Sequence, residues 1–442
     1  MPWVKVAAGT LIPPGVVVRC DTRMPTQIDG QRVLAIVLAG GRGSRLSPLT
    51  DERAKPAVPF LGTYRLIDFT LSNLVNSGVQ DVWVIEQYLP HGLNDHLSGG
   101  RPWDLDRTRG GLVVLPPFAS PEKEDGEFAQ GNAHALAQHA HLIREFAPDV
   151  VLVLSADHVY RLDYAQVIRA HVERGAAVTM VTTEVDRAEA GRFGNVQTDA
   201  SGHVTAFAYK PDTPLGRTVT AEVFAYDTRA LLRTLTEVQR AARKQDRELG
   251  DYGEELLPAL VKGGNAWAFP LRGYWRDVGT VEAYFAAHRD FLDGRGFPLH
   301  DDRWPFVTAS TTRPPTEVRP GAAVSGALLC GGAVIAGEVT RSVVAPNAVV
   351  ERGAVVRDSI LQPGAVVRAG AVVTRAIVDH GATVGAKASV GRARGKLTVI
   401  GAGATVQPGA VIGPGLHVPR RRTVKAGQED RVARPPSEDE QG

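Results

Sequence analysis

Val33-Leu34-Ala35-Ile36-Val37-Leu38-Ala39-Gly40-Gly41-Arg42-Gly43-Ser44-Arg45-Leu46 decides the fold of the first half of this chain. Its apolar residues run on without alternation, which is the pattern of a strand buried on both faces of a sheet. Three glycines in four positions follow at once, so the strand ends in a turn whose amides are free to face a ligand. Farther along, Val82-Trp83-Val84-Ile85 and Val150-Val151-Leu152-Val153-Leu154 repeat the continuous apolar pattern. Between these runs, Ile67, Leu71, Leu74 and Val75 recur at helical spacing before the stop signal Gly78. Ala133, Leu136, Ala137, Ala140 and Ile143 do the same after a cap at Asn132. This alternation over residues 31–293 predicts crossover units, an α/β class and a mostly parallel sheet.

The texture changes at about Glu317, where aromatic residues nearly vanish and turns such as Pro-Gly-Ala-Val recur. Ser342-Val343-Val344, Ser359-Ile360-Leu361 and Ala376-Ile377-Val378 stand 17 residues apart, as do Asn347, Gly364 and Gly381. A hexapeptide spacing with small corners and inward Val or Ile predicts a parallel β-helix whose coils bury one another. The chain therefore divides into an N-terminal extension (1–30), an α/β domain (31–296), a Pro- and Thr-rich linker (297–319), the β-helix (320–419) and a tail (420–442).

Composition narrows the function classes. With 442 residues, 43% hydrophobic and 22% charged, the chain has enough apolar side chains for several cores and is not broadly disordered. Fifty basic against 48 acidic residues give +2 with no long block of one sign, which gives no warrant for a nucleic-acid footprint. Cys20 and Cys330 offer neither zinc spacing nor a disulfide framework, which fits a reducing cytoplasm. Pro13 and Pro14 interrupt the first apolar segment, and no run of 18 apolar residues occurs, so neither an export signal nor a membrane span is expected.

The glycine loop is neither a dinucleotide fingerprint, since Leu46 stands where a third glycine is needed, nor a Walker loop, which needs Gly-Lys-Ser/Thr. Arg42, Arg45 and Lys55 place three cations in one connection, which suits a polyphosphate. With Arg53-Ala54-Lys55-Pro56-Ala57-Val58-Pro59-Phe60, Tyr64-Arg65-Leu66-Ile67-Asp68-Phe69, Ser155-Ala156-Asp157-His158-Val159-Tyr160 and Tyr274-Trp275-Arg276-Asp277-Val278-Gly279-Thr280, the chain resembles the sugar-1-phosphate nucleotidyltransferases. Within them it looks most like the glucose-1-phosphate adenylyltransferases.

The resemblance implies a Rossmann-like nucleotidyltransferase domain followed by a left-handed β-helix. It also implies transfer of AMP from ATP to α-D-glucose 1-phosphate, a Mg²⁺ requirement, a homotetramer and a small-molecule allosteric effector. Asp157 and Asp277 would hold the magnesium, Arg45 would contact the departing pyrophosphate, and Lys55 would steady phosphate charge. Leu38, Ala39, Gly40, Gly41 and Gly43, together with Gln87 and the helix start at Gly131 and Asn132, would bind the nucleotide. Gly194, Tyr209, Lys210, Thr220 and Glu222 would face the sugar phosphate.

This sugar side departs from the family pattern. Tyr209 replaces the Glu of Glu-Lys-Pro, Thr220 replaces Ser, and Glu222 replaces Gly; Ala129 and Asn132 depart on the nucleotide side. Glu222 is then either an exposed strand residue or a substitute sugar ligand. A changed sugar or base preference and a catalytically weak regulatory subunit are the alternatives to an enzyme of glycogen or α-glucan biosynthesis. Retention of both metal carboxylates speaks against the subunit.

Overall fold

The computed structural model describes residues 27–41, 43–116, 129, 131–309 and 312–427; Pro13, Pro14, Cys20, Arg42 and the tail beyond residue 427 lie outside these. In the first domain the strands are β1 (Gln31–Ala39), β2 (Asp81–Glu86), β3 (Gly111–Leu115), β4 (Val150–Ser155), β5 (His158–Tyr160) and β6 (Val178–Glu184). They continue with β7 (Gly194–Thr198), β8 (Val204–Tyr209), β9 (Thr218–Asp227), β10 (Ala266–Pro270) and β11 (Trp275–Asp277). The sheet order is β8-β7-β9-β4-β1-β2-β3, with β6 beside β9 and β10 beside β6. Strands β4, β1, β2 and β3 are mutually parallel, whereas β9 runs antiparallel to β4 and β6. Ahead of β1, Gln27–Ile28 already pairs with Arg32 and Gln31.

The unbroken apolar run of β1 follows from burial on both faces. Val33, Ala35 and Val37 pack with Ile67, Leu71 and Leu74 of helix α1 (Leu66–Asn76), while Leu34 and Ile36 pack with Ala133, Leu136 and Ile143. Each of the Val, Leu and Ile side chains contributes about 1.5–3 kcal/mol by leaving water. The helical pattern after Asn132 is not one helix but two, α2 (Asn132–Gln138) and α3 (Ala140–Phe146), parted at His139. The His139 Nδ1 lies 2.8 Å from the Ala135 carbonyl, close enough to take an acceptor that a continuous helix would use.

The second domain is a left-handed parallel β-helix of three sheets with seven, six and six strands, from Glu317–Val318 to Thr423–Val424. Coil strands therefore begin before residue 320 and continue past residue 419. Val343, Ile360 and Ile377 stand in register, as their 17-residue spacing requires. The corners Asn347, Gly364 and Gly381 have φ of 59°, 70° and 63°, the region that Gly and Asn tolerate. Ile377 next pairs with Val399, and the longer coil between them carries the basic turn Arg392–Lys396.

One β-helix sheet lies against the catalytic domain: Val343, Ile360, Ile377 and Val399 share a core with Phe60, Tyr284 and Phe285. The last two belong to α4 (Val281–Leu292). Across the same boundary Arg53 Nη2 pairs with a fully buried Asp379 at 3.1 Å. The intervening segment is strapped down rather than free. Phe297 stacks on Phe306 at 4.7 Å, and the Trp304 indole donates to Asn73 Oδ1 at 2.9 Å. Among the described residues no helix is long and apolar enough to cross a membrane.

Candidate active site

The parallel strands β4, β1 and β2 end together, and a crevice at the carboxyl edge of such a sheet is where α/β folds bind ligands. A cleft of about 410 Å³ opens there, lined by Gly40, Gly41, Gly43, Arg45, Lys55, Gln87, Gly131, Asn132, Asp157, Tyr209, Lys210, Glu222 and Asp251, among others. Gly43 holds the turn Ser44–Leu46 with φ 67°, and a Cβ there would stand only 3.0 Å from the Lys55 Cβ. Glycine thus lets the loop lie on the lysine stem, and Thr50 Oγ1 fixes it by donating to the Gly43 carbonyl at 2.7 Å.

Lys55 is the hub of the floor. Its Nζ lies 2.5 Å from Asp157 Oδ2 and 3.5 Å from Asp277 Oδ1. Asp157 arrives two residues past β4, Asp277 ends β11, and the β5–β11 ribbon pairs Asp277 with His158, which brings the two acids side by side. Burial opposes the charge on Lys55, but Asp157 and Asp277 outweigh it and raise its pKa. Burial likewise works to raise Asp157, yet Lys55 and then His158 reverse this and hold it well below the usual carboxylate range. The floor is therefore a fixed cation between two carboxyl groups. Two carboxylates supply hard oxygen donors suited to Mg²⁺, which takes one or two protein carboxylates and completes its shell with phosphate oxygens and water. Among the described residues no group of three or more His, Cys, Asp or Glu could hold a metal without such help.

Several expected residues sit otherwise than their motifs suggest. Leu38 and Ala39 are buried strand residues and do not line the cleft. The helix start at Gly131 does not offer free amides: Asn132 N–H donates to Asp251 Oδ1 at 3.2 Å and Ala133 N–H to the Gly250 carbonyl at 3.2 Å. Gly194 and Thr220 are buried against each other, and a Cβ at 194 would lie 3.0 Å from Thr220 Oγ1. Tyr209, Lys210 and Glu222 do reach the cleft.

Four further residues belong to the site. Asp251 accepts the Tyr209 hydroxyl at 2.7 Å and lies 3.9 Å from Lys210 Nζ. Burial and then Asp251 push the Tyr209 phenol far up, so it stays a neutral donor. The signal for Asp251 was an acid in a loop with Gly250 and Gly253 on either side, ahead of the apolar run Leu256-Leu257. His158 directs Nε2 toward Asp157, Asp277 and Glu222 at 3.7, 3.6 and 3.9 Å. Tyr252 favours the ionised form of Glu222, and Arg192 Nη2 stands 3.8 Å from Asp277 Oδ2. No sequence pattern marks the contacts of Tyr252 and Arg192, because each joins segments remote along the chain.

Comparison with known proteins agrees with this geometry. The Nucleotidyl transferase family matches residues 34–294, and the GlmU-like, C-terminal hexapeptide family matches residues 310–396. The chain is similar to the glucose-1-phosphate adenylyltransferase of Thermotoga neapolitana, at 41% identity over 74% of this chain and 76% of the relative. It is similar to that of Clostridium beijerinckii at 37% over 74% and 84%, and to that of Bacillus thuringiensis at 39% over 75% and 87%. A chain with this cleft and such relatives over three quarters of its length belongs to the glucose-1-phosphate adenylyltransferase family of nucleotidyltransferases.

Proposed function

We propose that this enzyme transfers the adenylyl group of ATP to α-D-glucose 1-phosphate, giving ADP-glucose for α-glucan synthesis. The observation that carries this reading is Lys55 wedged between Asp157 and Asp277 beside the glycine loop. In the reaction an oxygen of the sugar phosphate attacks the α-phosphorus of ATP, and the bond to the bridging oxygen breaks to release pyrophosphate. Two anions meet, so the site must hold them in line and neutralise charge. Amides of the loop Gly40–Gly43 bind the polyphosphate, Arg45 receives the departing pyrophosphate, and Lys55 donates to the oxygens around the reacting phosphorus. Lys210, half exposed at the mouth, meets the sugar phosphate. Magnesium held by Asp157 and Asp277 would withdraw negative charge from the reacting phosphate.

Family membership also supports a cytoplasmic homotetramer under small-molecule control. A hollow of about 750 Å³ between α4 and the β-helix, lined by Arg45, Arg289, Arg375 and Lys396 among others, supports an anionic effector. The departures at Tyr209 and Glu222 keep a shifted sugar preference as the second reading. The deciding experiment measures pyrophosphate release with four nucleoside triphosphates and a panel of sugar 1-phosphates. ATP with glucose 1-phosphate should turn over, and silence with every pair sinks the proposal.

A further inference from the structure

Glu222 is the residue that the family pattern does not account for. Along β9 the register with β6 jumps between Thr220 and Phe224, and inside that bulge Glu222 has φ 54°. Glutamate adopts this left-handed backbone at a cost, and glycine would not. A bulge re-aims a side chain that plain alternation would place elsewhere, and Glu222 lines the same cleft as Tyr209, Lys210 and Asp251. The carboxylate is thus neither exposed on a strand nor folded into a core.

Its charge is answered only in part, because Lys55, which attracts it electrostatically, is committed to Asp157 and Asp277. The Tyr252 hydroxyl favours its ionised form without neutralising it. His158 is 3.9 Å away and divided among three acids, its Nδ1 lying 3.2 Å from the Ala221 carbonyl. Among the described residues, no lysine or arginine forms an ion pair with Glu222. Asp251, the other acid at this end, already has the Tyr209 hydroxyl, the Asn132 amide and nearby Lys210. A carboxylate that keeps only 26% of its exposure favours a charged partner as well as hydrogen bonds. The wall that carries Glu222 also carries the residues assigned to the sugar. A sugar hydroxyl would satisfy only the hydrogen bond, whereas a protonated amine would satisfy both needs.

We propose that the cleft accepts a hexosamine 1-phosphate alongside glucose 1-phosphate, with Glu222 the specificity-determining residue that pairs with the sugar ammonium. This rests on the adenylyl-transfer reading, and the chemistry is unchanged. The phosphate oxygen remains the nucleophile, pyrophosphate remains the leaving group, and the ammonium keeps its proton.

The test uses the full chain with ATP and three probes: glucosamine 1-phosphate, glucose 1-phosphate and N-acetylglucosamine 1-phosphate, whose amide carries no charge. Glucosamine 1-phosphate should be turned over, with kcat/KM above that of the acetylated sugar. Glu222→Gly, which also suits the left-handed backbone, and Glu222→Gln should each lower the glucosamine-to-glucose ratio of kcat/KM at least tenfold. No turnover of the amino sugar by an enzyme that uses glucose 1-phosphate, or an unchanged ratio in both variants, overturns the assignment. If no sugar releases pyrophosphate, the adenylyl-transfer reading falls, and calorimetry still decides on Glu222. Tighter binding of glucosamine 1-phosphate than of glucose 1-phosphate, lost in Glu222→Gly, supports the pairing, and equal binding refutes it.

Discussion

The two ends of the cleft are built on different principles. At the phosphate end, Lys55 is held by two acids within 3.5 Å, the glycine loop lies on its stem, and Arg53, two residues away, is anchored to buried Asp379 of the β-helix. Charge there is held in place inside the protein before any ligand arrives. At the sugar end, Tyr209, Glu222 and Asp251 come from a strand terminus, a bulge and a loop, and Glu222 has no lysine or arginine in ion-pair contact among the described residues. The first end is preorganised for one kind of chemistry. The second leaves part of its balance to the ligand, which is where members of one family can differ in substrate while keeping one reaction.

The largest effect should follow from breaking the phosphate end. Asp157→Asn and Asp277→Asn each remove a charge that fixes Lys55 and a donor suited to a divalent cation. Turnover should fall roughly a thousandfold, about 4 kcal/mol of barrier, with a folded protein by circular dichroism. Near-normal turnover in both variants would show that charge at this end is not preorganised as described.

Bracing by the second domain is the next place to test. Asp379 is fully buried, and removing its partner by Arg53→Ala strands a charge, at a cost of about 3–5 kcal/mol of stability in denaturant titrations. Adding Asp379→Asn should recover much of that loss. Burial pushes Asp379 up even with Arg53 nearby, so the acid form suits the folded state. The penalty in Arg53→Ala should accordingly shrink as pH falls toward the ordinary carboxylate range and grow above it. A penalty that ignores both pH and the second substitution would mean that Arg53 acts only through packing.

The same contrast explains what was legible in the sequence. Val33–Leu38 announced a doubly buried strand, and 17-residue spacing announced stacked coils, because both are short-range periodicities imposed by burial. Lys55, Asp157 and Asp277 stood in motifs that the chain keeps intact. The sugar end was read less well for a physical reason. The Glu222 direction depends on a register jump against β6, and Asp251 reaches Tyr209 across 42 residues. Nor could sequence show that the amides opening α2 are taken by residues 250–251. Leu38 and Ala39 were placed with the loop although the strand still owns them.

At the sugar end a smaller effect is expected from Tyr209→Phe. The variant keeps the ring but removes the hydroxyl that Asp251 accepts, so Asp251 turns toward Lys210 or the ligand. A hydrogen bond to a charged group is worth about 1.5–3 kcal/mol. Part of it is replaced by Lys210, and the sugar KM should change by roughly three- to tenfold while the ATP KM holds. Equal changes for both substrates would indicate that the two ends are coupled and not separately built.

The smallest effect is reserved for a buried acid beside the phosphate end that takes no part in its charge balance. Glu86 closes β2 next to Ala39 and is almost fully buried. Asn94 Nδ2 donates to its Oε2 at 2.8 Å, while Oε1 has no partner among the described residues. Burial pushes its carboxyl up to about 7, with the Asn94 bond opposing the shift. A folded-state value above the ordinary 4.5 means that the acid form favours folding, so this contribution is complete below pH 4.5 and is lost as pH rises through 7. Glu86→Gln keeps an acceptor for Asn94 and stays neutral throughout. The variant should match the parent in stability near pH 4.5 and exceed it at pH 8 by about 1–3 kcal/mol, the shift discounted for relaxation around the site. Denaturant titrations at the two pH values measure the difference directly. A gap that is the same at both would show that the carboxyl is ionised at each, and that the phosphate end has a charge balance wider than Lys55 and its two acids.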